Sequence, residues 1–420
     1  MFNLKKNLKN SLVRENFFFF IATNVLNLFA FIFHFYMGRV LGPANYGIFG
    51  VILAIVYFFA ITATTIQTSI AKFVAKFEVK KEHGKINFLL KNSIKRLMIY
   101  GVILNIIFIL INPFLTKFLK IPILPLIIIS FMITFEFLLP IVRGTLQGLQ
   151  KFNSLGVNLI LEGVIKVFFG IILVLTGLSV NGAVIAVVFS YVIPFLIGNY
   201  TLKYIKKNKL TRFNTKEIYT YTLPVLIMLI SLTAFYSIDI LLVKHFFTNE
   251  EAGYYSAAGL IGRILFFGSL SISQVMSSKV AGLYENKKSH KPLLKRSLFI
   301  ILILTIPALI LYYLFPELII NILFGKSYLI IRRLIFFSGI MMTLFSLIYM
   351  ISFYNISIHK TMFIYLLILF NLLEIIMIYL FHNSLLQIFI SISILLAILL
   401  IILILITFSK YETKHNYSSL

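Results

Sequence analysis

Six ionisable residues lie inside long apolar stretches of this sequence, where a charge is costly. The acids are Glu136, Glu162, Asp239 and Glu374, and the bases are Lys166 and Arg263. A charge at the centre of a bilayer costs roughly 2.5–3.5 kcal/mol on insertion scales, so such residues mark candidate sites for binding or ion transfer. Buried Lys and Arg can hold an anion, whereas buried carboxylates can take up a proton or help to hold Na⁺.

The spacing of Glu162 and Lys166 brings opposite charges together on a helix. The two residues are four apart with the acid first, which places both side chains on one face in the favourable order. Two interpretations stay open. Either the pair neutralises itself and holds helices together, or Lys166 faces a cavity while Glu162 sets its orientation.

Two further basic residues lie at the ends of apolar stretches. Arg39 ends the first stretch and is either an interfacial anchor or an anion ligand. Arg143 follows the fourth stretch and is either a charge that fixes topology or a first contact for a substrate. Among the acids, Asp239 has only Lys244 as a basic neighbour, so it is either a hydrogen-bonded packing residue or an ion carrier. The same two alternatives, a hydrogen-bonded packing residue or an ion carrier, apply to Glu136 and Glu374.

The composition indicates that helices in a membrane must position these residues. Of the 420 residues, 60% are hydrophobic and 12% are charged, whereas soluble proteins carry roughly 25% charged residues. We therefore predict an all-α polytopic membrane protein, with an uncleaved first helix because no small-residue cleavage site follows it. The cysteine count of 0 excludes disulfides, thiol catalysis and thiolate metal sites.

Apolar stretches of about 20 residues, the length that spans a bilayer as a helix, predict twelve transmembrane helices. Their approximate bounds are 17–37, 47–71, 97–115, 123–142, 155–175, 181–202, 219–243, 254–277, 297–314, 334–354, 361–381 and 385–408. Stretches such as FFFFIATNVLNLFAFIFHF are apolar on all sides and about twice as long as a barrel strand. Helices are therefore favoured over a β-barrel.

Most of the 38 Lys and Arg residues fall on one set of loops. These are the N-terminal tail, 72–96, 143–151, 203–216, 279–296, Lys360 and the C-terminal tail. The positive-inside rule then places both termini in the cytoplasm of a multi-pass protein of the plasma or inner cell membrane. Topology and attraction to anionic lipid explain the net charge of +25 better than nucleic-acid binding does. Segments 72–96 and 203–218 predict amphipathic surface helices or, alternatively, solvated linkers.

Two turn-forming segments indicate an internal repeat. The segments are GRVLGPANYGIFG and TNEEAGYYSA, in which Gly253 follows Gly47 by 206 positions. Residues 41–83 and 247–289 align without gaps, and each continues through a long apolar helix and a Val-Ala pair into a Lys-rich loop.

The repeat predicts two six-helix lobes, 1–205 and 206–420, around a central cavity. Six spans per half is an even number, so the halves would share their orientation and be related by an axis along the membrane normal.

Five motifs occur in an order and spacing similar to those of a known family. They are GRVLGPANYGIF, SIAKFVAKF, RGTLQGLQKFN at 143–153, SIDILLVKHFFTNEEAGYYSAA at 237–258 and LFGKSYL at 323–329. The chain resembles the polysaccharide-biosynthesis transporters, the lipid-linked oligosaccharide flippases of the multidrug/oligosaccharidyl-lipid/polysaccharide (MOP) exporter superfamily. This resemblance implies a fold like that of the MATE transporters and lipid II flippases, with a V-shaped cavity that alternates between leaflets. The thirteenth and fourteenth helices of the lipid II flippases are not evident.

The same resemblance implies a function and roles for the charged residues. Members move a polyprenyl-phosphate-linked sugar from the cytoplasmic to the outer leaflet, and a pyrophosphate carrier favours cations. The substrate-binding cations would be Lys166, Arg263, Arg39 and Arg143. The candidates for coupling to H⁺ or Na⁺ would be Asp239, Glu162, Glu136 and Glu374. No metal or other cofactor is expected, and the partners would be the lipid-linked oligosaccharide, membrane lipids and glycosyltransferases or a polymerase of the same pathway.

Two other functions compete with the flippase. A cation-coupled drug or metabolite antiporter of the same superfamily would share the fold and use the acids more than the bases. A membrane glycosyltransferase or polymerase is disfavoured, because the outer loops hold only Glu250, Glu251 and Glu317 for sugar chemistry. No complete G-x-x-x-x-G-K-[ST] phosphate loop occurs, so we expect no direct use of ATP. We therefore predict a transporter rather than an enzyme.

Overall fold

The computed structural model describes residues 2–213 and 223–408, which are all-α. The α-helices are α1 (Phe2–Val79), α2 (His83–Leu119), α3 (Ile123–Gly148), α4 (Phe152–Leu173), α5 (Ser179–Thr201), α6 (Leu223–Ala234), α7 (Ile238–Phe246), α8 (Asn249–Glu285), α9 (Lys291–Leu314), α10 (Pro316–Leu323), α11 (Leu334–Ser357), α12 (Phe363–Leu380) and α13 (Leu385–Phe408). A π-helical turn (Val174–Leu178) and two 3₁₀ segments (Leu202–Lys207 and Lys326–Arg333) complete the described structure. The predicted fold class is confirmed.

Helix α1 is a hairpin of two arms. Gly42 interrupts it with φ 70° and ψ 170°, a conformation that glycine adopts readily. The arms, 2–41 and 43–79, run back along each other, since Nε2 of His34 lies 3.4 Å from the hydroxyl of Tyr57. A straight helix would separate these two residues by roughly 35 Å. The turn predicted between the first two helices is therefore present, but it consists of Gly42 alone. The predicted helices, 17–37 and 47–71, are shorter than the observed arms.

A second hairpin joins α4 to α5. Gly177 (φ 91°) and Ser179 (φ 47°) reverse the chain there, and the two helices pack side by side. Ten helical stretches in the described ranges are long and apolar enough to cross a membrane. Two of them, Ile21–Val79 and Phe152–Thr201, contain these reversals and supply two crossings each. This agrees with the predicted twelve spans.

The helix predicted over 219–243 is interrupted in its described part. Helices α6 and α7 are separated by a turn at 235–237, where the amide of Ser237 donates to the carbonyl of Ala234 at 3.1 Å. The apolar sequence gave no sign of this break. Asp239 consequently lies in the first turn of a short helix rather than in the middle of a long one.

The surface helix predicted over 72–96 is wrong. Residues 72–79 end α1 and residues 83–96 begin α2, so two spanning helices extend through the segment and meet at a turn around Lys81. The second predicted surface segment forms a 3₁₀ turn followed by irregular chain up to residue 213. Its last part and the C-terminal tail lie outside the described residues, and the orientation of the termini stays a prediction.

The internal repeat is confirmed in the backbone. The second arm of α1 covers 43–79 and α8 covers Asn249–Glu285, so both ends of these helices are offset by 206 residues. Each helix is followed by a lysine in the left-handed region, Lys81 with φ 56° and Lys287 with φ 53°. The ungapped alignment therefore identifies structurally equivalent residues.

The starts of these two helices contact each other at equivalent glycines. A Cβ atom on Gly47 would overlap the carbonyl oxygen of Asn249, and one on Gly253 would overlap the carbonyl oxygen of Pro43. Asn249 and Pro43 are themselves 206 residues apart, so the contact is reciprocal. Small residues permit such a close approach of two backbones.

The helices group into two compact units, which are described separately. The first comprises Met1–Ser256 with Leu323–Tyr328, and the second comprises Ala257–Ile322 with Leu329–Leu420. In the first unit, α1 to α5 share an apolar core, which includes Val74, Leu90, Leu139, Leu155 and Phe195. In the second unit, α11 packs against α9 and α13. The lobe boundary predicted between residues 205 and 206 stays a prediction.

Gly253→Ala is expected to destabilise the protein by about 1–3 kcal/mol, because the added methyl group would collide with the Pro43 carbonyl. The matched control is Gly259→Ala in the same helix, where a Cβ has nothing within 4 Å. That change should instead stabilise the helix by roughly 0.5–1 kcal/mol. Thermal unfolding of both variants in detergent measures the difference, and equal melting temperatures would contradict the glycine contact.

Candidate functional site

Two cations share one buried carboxylate in the first unit. Glu162 on α4 pairs with Arg143 on α3 at an Nη2–Oε2 distance of 2.8 Å. It also pairs with Lys166, one turn along α4, at an Nζ–Oε1 distance of 3.4 Å. The side chains are 10% exposed for Arg143, 7% for Glu162 and 15% for Lys166. The predicted Glu162–Lys166 pair is therefore present, but Arg143 is the closer partner.

Asn158 fixes the orientation of Arg143. Nε of Arg143 donates to Oδ1 of Asn158 at 2.8 Å, and Nδ2 of Asn158 donates to the carbonyl of Pro194 at 2.7 Å. The asparagine thus connects α4 to both α3 and α5. Because the guanidinium is held at Nε by Asn158 and at Nη2 by Glu162, its plane is set by two neighbours.

A second carboxylate and a tyrosine extend the cluster. Glu136 lies seven residues before Arg143 on α3, is 1% exposed and interacts with Glu162, Lys166, Arg143 and the hydroxyl of Tyr191. Nζ of Lys166 lies 5.9 Å from the centroid of the Tyr191 ring. We call Glu136, Arg143, Asn158, Glu162, Lys166 and Tyr191 the charge cluster.

Glycines on α4 place the helix close to α1. Three glycines seven residues apart lie against aromatic rings of the first arm of α1. The pairs are Gly156 with Phe18, Gly163 with Phe29 and Gly170 with Phe33. A Cβ on this face would collide with a ring, so larger residues would push α4 outwards. Asn158, Glu162 and Lys166, each four apart, occupy another face of the same helix and contact α3 and α5.

The charge cluster holds two basic and two acidic side chains in a poorly solvated place. Charges interact strongly there, and removing one partner of a buried pair typically costs 3–5 kcal/mol because the other charge is left uncompensated. The arrangement can bind an anion when that anion replaces Glu162 as the partner of a cation. It can also move a proton, because two carboxylates lie beside the same cations.

Arg143 was predicted to lie where the fourth helix meets the cytoplasm, and this placement is wrong. Helix α3 continues to Gly148 instead of ending at 142, which takes Arg143 inside the unit at 8% exposure. A buried arginine beside Glu162 has a structural partner, so it is more than a charge that fixes topology.

Arg39 and Asp239 have partners outside the charge cluster. Nε of Arg39, which is exposed, donates to the carbonyl of Leu323 at 3.2 Å. Oδ2 of Asp239 accepts from the hydroxyl of Tyr255 at 2.8 Å, and its Oδ1 accepts from the amide of Ile240. Asp239 is therefore a hydrogen-bonded residue at a helix start, as one of its two predicted alternatives stated.

The remaining predicted residues belong to the second unit. Arg263 lies on α8 at 5% exposure, and Glu374 lies on α12 at 0% exposure. Both are buried charges in apolar helices, as predicted, and their roles stay predictions.

The comparison with known proteins decides the family. The model of a family described as polysaccharide biosynthesis protein matches residues 36–332. The chain belongs to this family. An uncharacterized membrane protein of Methanocaldococcus jannaschii is 23% identical over 285 residues, which are 63% of this chain and 66% of that protein, just under two thirds of its length.

Solved transporter structures share the fold. An inward-facing multidrug resistance MATE family transporter of the MOP superfamily matches with a TM-score of 0.78 at 16% identity, covering 91% of this chain and 93% of that one. A MOP superfamily transporter from Pyrococcus furiosus matches with a TM-score of 0.67 at 18% identity over 95% of each chain. The protein is thus a multi-pass membrane protein of the polysaccharide biosynthesis family with a MATE-like fold.

Two members of the charge cluster in this member of the polysaccharide biosynthesis family were not predicted. Asn158 lies four residues before Glu162, so its position on the same helix face was available from spacing alone. Tyr191 is marked by no local pattern, because its contact depends on how α5 packs against α3.

Arg143→Gln is expected to lower the free energy of unfolding by about 3–5 kcal/mol, because Glu162 stays buried with only the more distant Lys166. The double variant Arg143→Gln/Glu162→Gln should recover much of this loss, since no buried charge lacks its partner. Lys166→Ala should cost less, because Arg143 still neutralises Glu162. Unfolding in detergent measures all three, and a double variant no more stable than Arg143→Gln alone would disprove the pairing energy.

Proposed function

We propose that the protein is a flippase that moves a polyprenyl-(pyro)phosphate-linked oligosaccharide from the cytoplasmic to the outer leaflet by alternating access. Membership of the polysaccharide biosynthesis family and the MATE-like fold support this. The observation that carries the proposal is the pair of cations, the buried Arg143 and the partly buried Lys166, that share Glu162. A phosphate oxygen can replace the carboxylate beside one cation without leaving a buried charge unmatched.

Lys166 is the cation that we expect to change partner. Its Nζ lies 3.4 Å from Glu162, compared with 2.8 Å for Nη2 of Arg143. An ammonium group on a flexible stem can turn to a phosphate, whereas the guanidinium of Arg143 is held by Asn158 as well. Arg143 would then keep Glu162 neutralised while Lys166 binds the substrate. Arg263 remains a further candidate for substrate contact.

Glu136 gives the charge cluster a means of coupling to protons. With both carboxylates ionised the cluster is neutral, and with a proton on Glu136 it carries one positive charge. A phosphate would therefore bind more tightly when Glu136 is protonated. Because linkage is reciprocal, bound phosphate would in turn increase the affinity of Glu136 for the proton. This favours H⁺ over Na⁺ as the coupling ion, with Asp239 and Glu374 as further candidates.

A cation-coupled antiporter for drugs or metabolites is the alternative function. The fold match to a multidrug resistance transporter favours it, as do the buried carboxylates of Glu136 and Asp239. Against it, Glu162 already neutralises cations of the same cluster, so little acidic charge is left for a cationic drug.

Lys166→Ala and Arg263→Ala are each expected to abolish transport of the lipid-linked sugar while the protein still inserts, because each removes a cation that is proposed to contact the substrate's phosphate. The measurement is flipping of a prenyl-pyrophosphate oligosaccharide in proteoliposomes, with the exposed Lys117→Ala as control. Unchanged flipping in both variants would reject the cationic site. Efflux of a cationic drug without lipid flipping would select the antiporter.

Glu136→Gln mimics the protonated acid and is expected to remove the pH dependence of substrate binding. Wild type should bind the prenyl-pyrophosphate oligosaccharide more tightly at acidic than at alkaline pH, whereas the variant should bind equally at both. Titrations in detergent measure this, with the exposed Glu250→Gln as matched control. If the variant retains the wild-type pH dependence, Glu136 is not the residue that carries the coupling proton.

A further inference from the structure

A groove of about 250 Å³ lies between the start of α4 and the end of α5 and shares only Asn158 with the charge cluster. One end is polar, with Asn153, Ser154 and Thr201. The other end is apolar, with Val157, Leu161 and Ile197, which lie about one turn further into the spanning helices. The groove therefore changes from polar to apolar along the helices, as an amphiphilic molecule does along its length.

Lysines flank the polar end of the groove. Lys151, the residue before α4, places Nζ 4.0 Å from the ring centroid of Tyr204, just beyond α5. Lys203 places Nζ 4.3 Å from the ring centroid of Tyr200. These cation–π contacts hold both ammonium groups near the helix ends that form the groove.

A third lysine beside them shows that positive charge is concentrated here. Burial lowers the pKa of Lys206, and the charges of Lys91 and Lys203 lower it further. Lys206 keeps a hydrogen bond of 2.6 Å to Oδ1 of Asn199. An anion bound near these lysines would relieve their mutual repulsion.

We propose that this groove binds the headgroup of an anionic phospholipid, with the phosphate at Lys151 and Lys203 and an acyl chain along Val157, Leu161 and Ile197. The volume of about 250 Å³ lies below the 300–1,000 Å³ typical of pockets for drug-sized ligands, which favours a group as small as phosphoglycerol. The exposed Val157 and Ile197 form an apolar surface that continues outwards from the groove.

The floor of the groove connects it to the charge cluster. Asn158 lines the groove, and its amide holds both Arg143 and the carbonyl of Pro194. A lipid seated in the groove packs against the residue that orients Arg143. The groove and the charge cluster therefore share Asn158. Lipid binding itself does not depend on what the protein transports.

The test is lipid binding to the full-length protein in detergent, followed by native mass spectrometry and by melting temperature. Phosphatidylglycerol is compared with phosphatidylcholine that has the same acyl chains. Wild type should retain phosphatidylglycerol preferentially and melt at a higher temperature when it is bound. Equal retention of the two lipids would overturn the proposal, as would displacement of the lipid by inorganic phosphate at the same concentration.

Lys151→Gln/Lys203→Gln should bind phosphatidylglycerol roughly 25-fold more weakly, since each basic residue near anionic lipid contributes about fivefold. Lys80→Gln/Lys287→Gln removes the same charge from two exposed turns and is the matched control. An equal loss of affinity for phosphatidylglycerol in both double variants would indicate general attraction to anionic lipid and would overturn the proposal that the groove is the binding site.

A filling variant tests the apolar half independently of charge. Val157 is 49% exposed, so Val157→Trp is tolerated by the fold and occupies the acyl-chain end. This variant should lose the retained phosphatidylglycerol while keeping its melting temperature in lipid-free detergent. Full retention of the lipid by the variant would contradict the proposed site.

Discussion

A carboxylate buried among apolar helices must be neutralised where it lies, and this requirement determines the centre of the first unit. Glu162 meets it with two cations, one from its own helix and one from α3. Because Arg143 is in turn oriented by Asn158, and Asn158 is bound to the carbonyl of Pro194, the relative positions of three helices depend on one charge. The same arrangement leaves Lys166 as the more distant cation, and in the proposed function it is Lys166 that binds the substrate while Arg143 keeps Glu162 neutralised.

Close backbone packing makes this charge arrangement possible. Salt bridges of this length require α3, α4 and α5 to lie within the reach of one side chain, and the glycine face of α4 allows the helix to settle against the aromatic rings of α1. The hairpin at Gly42 then lets α1 contribute two arms to the same unit. The glycines do not contact the charges, but they determine how α4 packs and therefore how closely its charged face approaches α3 and α5.

Much of the fold was predictable, because long apolar stretches and basic loops are strong signals for spanning helices. The Glu162–Lys166 pair was also predictable, since it depends only on spacing along one helix. Arg143 was predicted as a candidate residue, but its pairing with Glu162 was not, because the apolar stretch ends at residue 142 while the helix continues six residues further. The break before Asp239 was missed for a related reason: residues 235–237 are as compatible with a helix as their neighbours, and tertiary packing decides their conformation.

The backbone repeats, but its chemistry does not. A left-handed residue precedes α4 at Gln150 and the corresponding α12 at His359, with φ of 55° and 57°. Of the helices on either side of these turns, α3 and α4 hold Arg143, Glu162 and Lys166, whereas α11 and α12 hold no Lys or Arg, and Glu374 is the one acid in them. The two cations that share Glu162 therefore have no counterpart in α11 and α12. The reciprocal contacts at Gly47 and Gly253 require the same backbone in both repeats, whereas the ion pairs around Glu162 form within the first unit. Helix packing and charge pairing thus depend on different residues, so a symmetric set of helices can carry an asymmetric charge cluster.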